Sequence, residues 1–293
     1  MLKNFFRYFI SSLFFLIVTS ISANADIKVG FVYVGPTGDH GWTYQHHEGR
    51  NAVEAAGIKT TYVESVPEGA DSERVIRQLA QSGHGLIFTT SFGYMDPTNK
   101  VAKDFPNVKF EHATGYKREH SNVTTYGARF YQGRTLLGHI AGNMTKTNTI
   151  GYIASFPIPE VIRGINAMTL AAQKVNPNIK TKIIWVFTWY DPGKEAEAAQ
   201  ALIDQGADII MQHTDSTAAV QVAEKAGVWS FGQASDMQKF APKSVLTSII
   251  DDWAPYYVER AKAVQNGTWK QQDTWHGLQE GMVAMGPYNS AMG

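Results

Sequence analysis

Ile27-Lys28-Val29-Gly30-Phe31-Val32-Tyr33-Val34 runs directly into Gly35-Pro36-Thr37-Gly38-Asp39-His40-Gly41-Trp42, and this stretch decides the fold. A short, nearly continuous apolar run reads as a strand buried on both faces, the pattern of a parallel sheet. The three glycines that follow let backbone approach another surface closely. Asp39 and Trp42 share the loop where a helix begins. In open α/β sheets, small ligands bind beyond the carboxyl ends of the strands. The stretch therefore predicts a loop that holds a flat polar molecule, and it supplies no reacting group.

The same alternation continues outward. Strand patterns at 60–64, 85–90, 108–112 and 123–127 are separated by helical patterns at 42–56, 71–82, 97–105 and 131–143. A second series has strands at 149–154, 180–187, 208–211, 228–231 and 245–250, with helices at 159–175, 192–205, 217–226 and 253–266. Asp96-Pro97 and Asp191-Pro192 each set a capping acid before a proline suited to the first helical turn. Gly57, Gly83, Gly206, Gly227 and Gly267 each follow a helical run as stop signals. Strand and helix in alternation mean parallel sheets covered on both faces. Two series of similar size predict two doubly wound domains meeting near the polar stretch Gly142 to Asn148. Gly277 to Tyr288 reads as strand and turn. The chain then stops at Gly293 without a closing helix, as a truncated end does.

Lys3 and Arg7, the apolar run Phe9 to Val18 and the small residues Ala23-Asn24-Ala25 have the order of a secretory signal peptide, predicted over residues 1–25. The run falls short of the ~20 residues a spanning helix needs. The chain has no cysteine. Disulfides, thiolate metal sites and a lipid-modified cysteine at the cleavage point are excluded, which predicts a freely diffusing protein of the bacterial periplasm. Lys plus Arg number 26, as do Asp plus Glu. Losing Lys3 and Arg7 with the leader leaves a slightly acidic chain, which argues against nucleic acid or an anionic membrane as partner.

Enzymatic motifs are missing. There is no Gly-x-Ser-x-Gly elbow and no Walker loop. The spacing of Gly35, Gly38 and Gly41 does not fit a dinucleotide fingerprint. His40, His46 and His47 lie near Asp39 but lack metal-ligand spacing, and adjacent helical histidines diverge. An exported nucleosidase-like hydrolase would need an acidic cluster in the first loop, where Asp39 stands alone. No cofactor, metal or catalytic residue is expected.

The ordered set Lys28-Val29-Gly30-Phe31-Val32, Gly38-Asp39-His40-Gly41-Trp42, Thr89-Thr90-Ser91-Phe92-Gly93-Tyr94-Met95-Asp96, Ala102 to Phe110, Gly151-Tyr152-Ile153-Ala154 and Leu246-Thr247-Ser248-Ile249-Ile250 resembles the BMP (basic membrane protein) family of ABC-transporter substrate-binding proteins, the purine-nucleoside receptor group. The resemblance implies a type I periplasmic binding protein: two doubly wound parallel-sheet lobes joined by a three-strand hinge. It places crossovers near 143–148, 243–250 and 270–277, with residues 26–143 plus 248–270 in the first lobe and 144–247 plus 271–293 in the second. It implies a monomer that catches a purine base or nucleoside and hands it to an inner-membrane ABC permease. Relatives tend to carry a lysine after the Thr-Ser strand, where this chain has Ile250-Asp251-Asp252-Trp253, and an asparagine where it has Thr43. Both departures touch the sugar side and favour a free base of the adenine type. A sugar or other small solute on the same scaffold is the alternative.

A purine needs aromatic walls for its faces and carboxylates or amides for its edge. At the strand ends, Trp42 is the leading stacking candidate. Asp39 is either an edge acceptor or an acid stabilised at a helix N-terminus. Ser91, Phe92 and Tyr94 follow the strand at 85–90, as closing aromatics or as local packing. Trp189 faces the cleft from the second lobe, whereas Asp191 reads as a helix cap and Trp185 as core. Asp215 is an acceptor or a cap. Asp236 matches a family position that contacts ligand. Trp253 sits by a crossover and reads more naturally as hinge packing.

Overall fold

The structure is a computed structural model that describes residues 26–292, so the predicted leader lies outside the described residues. The first half contains β1 (Lys28–Val32), α1 (Trp42–Ala55), β2 (Lys59–Val63), α2 (Ala70–Gln81), β3 (Leu86–Thr89), α3 (Met95–Asp104), β4 (Lys109–Ala113), β5 (Val123–Ala128) and α4 (Phe130–Met144). The second contains β6 (Thr149–Ala154), α5 (Pro159–Val175), β7 (Lys180–Trp185), α6 (Pro192–Asp204), β8 (Ile209–His213), α7 (Ala218–Ala226), β9 (Trp229–Gly232) and β10 (Val245–Asp251). The tail adds α8 (Ala254–Gln265), β11 (Asp273–His276) and β12 (Val283–Met285).

Two six-stranded sheets result, ordered β11-β5-β4-β3-β1-β2 and β12-β10-β9-β8-β6-β7. Each contains the doubly wound order 2-1-3-4-5 plus one edge strand supplied by the tail. All paired strands are parallel except β12, which runs antiparallel to β10 with Ile250 opposite Ala284. The order reverses between β1 and β3, and again between β6 and β8, which creates a switch-point crevice in each sheet.

The local signals explain most element ends. Gly57, Gly83, Gly206, Gly227 and Gly267 all take positive φ, where a side chain would be strained. Asp191 caps α6 by accepting from the Lys194 amide at 3.1 Å, with Pro192 in the first turn. Asp96 does not cap α3. A short 3-10 turn at Phe92–Tyr94 leads into the helix at Met95, and the Asp96 carboxylate pairs with Lys117 at 2.6 Å.

The crossovers fall elsewhere than expected. β10 belongs to the second sheet through Asp251, and β11 belongs to the first sheet, beside β5. The chain therefore changes sheets after 251, not at 248, and after 276, not at 270. The third exchange also moves, because α4 lies on α5, placing the crossing at 128–130 instead of 143–148. Small residues cause this. A Cβ on Gly138 would stand 2.3 Å from the Met168 carbonyl of α5, and one on Gly133 would stand 3.0 Å from Ile249 of β10. α8 packs on α1 of the first lobe. Gly49 of α1 leaves room for the Tyr257 ring, and Arg260 reaches the buried Glu111 of β4 at 2.7 Å. Tyr256 and Trp269 donate to the same carboxylate, each at 2.6 Å.

One apolar cluster runs through both lobes and holds Phe31, Phe88, Tyr126, Trp253 and Tyr257 together with Tyr152, Met211 and Ile249. Separate clusters lie under α2 and α3 and under α6 and α7. The carboxyl ends of both sheets meet around one cleft.

Candidate functional site

The loop after β1 folds onto the start of α1 through Asp39, whose carboxylate accepts from the amides of Gly41, Thr43 and Tyr44 at 2.9 Å each. That grip fixes Trp42 at the head of the helix. The Trp42 indole N–H donates to the Thr90 carbonyl at 2.7 Å. Its ring is braced edge-on by Trp253 at 5.5 Å between centroids, and by Phe130 at 5.9 Å. An indole held in this way offers a rigid wall.

A partly open cavity lies against it, lined by Val34, Trp42, Ser91, Phe92, Thr114, Glu160, Trp189, His213, Asp215 and Gln233. These residues come from the carboxyl ends of β1, β3, β4, β6, β7, β8 and β9, on both sides of the two switch points. The lobes touch beside it. Ser235 donates to the His40 carbonyl, and a Cβ on Gly41 would stand 2.3 Å from the Asp215 carbonyl. His40, Thr114, Phe187 and Ala234, all in loops at strand ends, adopt left-handed φ of 59°, 62°, 52° and 62°. Non-glycine residues in that region carry strain that concentrates at ligand sites.

Five residues expected from sequence line this cavity: Trp42, Ser91, Phe92, Trp189 and Asp215. Four do not. Tyr94 is fully buried in the first-lobe core and donates to the Val66 carbonyl at 2.6 Å. Asp236 accepts from the Gln238 amide at 3.0 Å and closes a local turn. Asp39 is consumed by the three amides above. Trp253 has no exposed surface and stacks on His46 at 4.7 Å, so it supports Trp42 from behind. In each case a hydrogen bond or ring contact inside the lobe outcompetes the cleft.

Sequence reading did not select Thr114, Glu160, His213 or Gln233. His213 and Gln233 lie in the strand-end segments that drew attention to Asp215 and Asp236. Glu160 looked like an ordinary first-turn acid of a helix. Only the position of Thr114 after a strand marked it.

The polar lining is poorly solvated. Asp215 is 3% exposed and its Oδ2 has no partner. Burial raises its pKa well above the usual carboxylate range, and the nearby Asp39 charge adds to this. Burial also lifts Asp39, to about 6, against the three amides that lower it. Because those amides favour a charged Asp39, the proton of the pair belongs on Asp215. His213 Nε2 lies 3.2 Å from Glu160, its Nδ1 has no partner, and burial lowers its pKa. Gln233 is oriented by the buried Arg134 guanidinium. The site can accept or donate at an edge and can pack aromatic surface against a ring. It presents no nucleophile paired with a base.

Two lobes built alike, with a small cavity where their strand ends face each other, define a solute-binding protein of the type I class. A family model described as ABC transporter substrate-binding protein PnrA-like (Bmp) matches residues 26–292. The chain belongs to this family. A purine-binding protein of Brucella abortus is 58% identical over 94% of this chain and 79% of its own length. A Haloferax volcanii protein, whose name assigns it to glucose binding in an ABC transporter, is 44% identical over 89% of this chain and 67% of its own. The solved structure of an ABC solute-binding protein from Aeropyrum pernix superposes with a TM-score of 0.80 at 22% identity, over 89% of this chain and 76% of that one, which supports the fold. The protein is thus a substrate-binding component of an ABC transporter and not an enzyme. Its class implies a small-molecule ligand, a membrane permease and an extracytoplasmic place of work. Among the described residues no helix is long and apolar enough to cross a membrane.

Proposed function

We propose that the solute is a purine, and a free base of the adenine type ahead of a nucleoside. The observation that carries this reading is the cavity wall: indoles from both lobes, Trp42 and Trp189, with the unpartnered Asp215 oxygen among them. Aromatic walls suit the π faces of a base, and a buried carboxyl suits its N–H and ring-nitrogen edge. The 58% identical relative carries purine binding in its name. The name of the Haloferax relative favours a sugar as the second reading, since indole faces also pack on pyranose rings. In this reading the leader at 1–25 is removed, and the mature protein works as a periplasmic monomer without a lipid anchor. It delivers its ligand to an inner-membrane permease. Trp42, Ser91, Phe92, Trp189 and Asp215 contact the ligand; Asp39 and Trp253 hold those contacts in place.

Thermal denaturation tests it. A ligand at 100 times its Kd stabilises the native state by about 2.7 kcal/mol, which raises Tm by about 5 °C or more in a chain of this size. Adenine or hypoxanthine should give that rise, and glucose or ribose should not. A rise with glucose and none across purine bases and nucleosides would transfer the assignment to the sugar reading.

A further inference from the structure

We propose that Glu68 is a positioning residue that latches the two lobes together by holding the indole of Trp189, so that it governs how fast the bound solute leaves. The inference rests on the cavity being the solute site. Glu68 lies in the loop between β2 and α2, outside the cavity. One carboxylate oxygen, Oε1, collects three donors. Ser91 Oγ at 2.5 Å and the Gly93 amide at 3.1 Å come from the first lobe. Trp189 Nε1 at 3.1 Å comes from the second. Ser91 and Trp189 both line the cavity. A single acceptor therefore ties a first-lobe wall to a second-lobe wall.

The surroundings are shaped for this contact. A Cβ on Gly93 would stand 2.2 Å from the Glu68 carboxyl carbon, so the carboxylate reaches its place because residue 93 has no side chain. Trp189 is braced from behind by Phe156, 5.1 Å between ring centroids. Its carbonyl accepts the Asp215 amide at 3.0 Å. The backbone of Trp189 is thereby tied to the segment that carries the cavity carboxyl. With the lobes apart, Glu68 keeps Ser91 and Gly93 but loses Trp189. The bond exists only across a closed cleft, and it opposes opening. Glu68 is itself exposed, so water competes for the bond and the expected effect is moderate.

The test combines solute release with lobe separation. In stopped-flow measurements with adenine, Glu68→Ala, Gly93→Ala and Trp189→Phe should each speed dissociation by about fivefold. For Glu68→Ala and Gly93→Ala, whose residues do not line the cavity, association and the unliganded Tm should change little. Glu68→Gln, which keeps an acceptor oxygen, should recover part of the loss. Because the Glu68–Trp189 bond is lost in both changes, the double variant Glu68→Ala/Trp189→Phe should release more slowly than the product of the two single effects. Independent effects would instead multiply to about 25-fold, and that outcome overturns the latch, as does wild-type release from Glu68→Ala. The cysteine-free chain accepts a clean spin-label pair at Lys103→Cys and Gln221→Cys, both exposed and on opposite lobes. Glu68→Ala should shift the unliganded label distance towards longer values, and an unchanged distribution counts against the latch whatever the solute is. If adenine fails to bind the wild type, the purine reading falls while the label distances still decide on Glu68.

Discussion

Gly41 sits at a contact between the lobes, and a Cβ there would stand 2.3 Å from the Asp215 carbonyl. Backbone stands on both sides of that contact, so neither side yields easily. Gly41→Ala should weaken solute affinity at least tenfold, because closing the lobes would drive its methyl into that carbonyl; calorimetric titration checks this. Asp215 carries a pH dependence whose sign follows from its burial. A carboxyl whose folded pKa is raised favours the fold when protonated, and the contribution is lost as pH rises through that value. Burial raises Asp39 from 3.8 to about 6, and Asp215 is shifted in the same direction. The unliganded protein should lose stability as pH climbs from about 4 past 6, and Asp215→Asn should flatten that slope in melting curves. A steeper slope in the variant would contradict the assignment of the proton to Asp215. At this scale the sequence was only half legible. A carboxylate at a strand end looks the same whether it caps a helix, as Asp39 does, closes a turn, as Asp236 does, or stays bare, as Asp215 does. The difference lies in which amides happen to reach it.

Every helix and strand outside the tail was legible at the scale of elements, because alternating apolar runs and glycine stops are local signals. The partners of those elements were not. α4 follows the last strand of the first series, yet it packs in the second lobe because Gly133 and Gly138 admit β10 and α5. α8 follows a strand of the second sheet, yet it lies on the first, drawn there by a contact 149 residues away in sequence. That contact, Arg260 to Glu111, is almost wholly buried, at 4% and 0% side-chain exposure. Removing one partner leaves a buried charge alone and costs about 3–5 kcal/mol. Glu111→Ala should therefore lower Tm by about 10 °C, with a smaller loss when Arg260→Met is added and no charge remains stranded. Equal or additive losses would mean the pair contributes packing and no charge compensation.

The whole molecule is a hinge with a cavity beside it, since Trp42 of the cavity wall packs on Trp253 and Phe130 at two of the connections. Three connections join the lobes, at 128–130, 251–254 and 276–283, and Arg129 and Asp252 tie two of them to the third through the His276 and Met282 carbonyls. Such a cluster of short crossovers permits rotation of one lobe against the other while each sheet stays intact. A solute shifts that motion only by binding the closed arrangement more tightly than the open one. The difference must come from walls on both lobes, with Trp42, Ser91 and Phe92 on one side and Trp189, His213 and Asp215 on the other. Trp189→Ala removes the largest second-lobe wall but leaves the first-lobe half of the site untouched. In X-ray scattering, saturating adenine should reduce the radius of gyration of the wild-type protein. The variant should still bind, at least a hundredfold more weakly, and should show little contraction when saturated. Two-lobe capture predicts this separation of binding from closing. Full contraction in the variant would mean that first-lobe contacts alone drive the hinge.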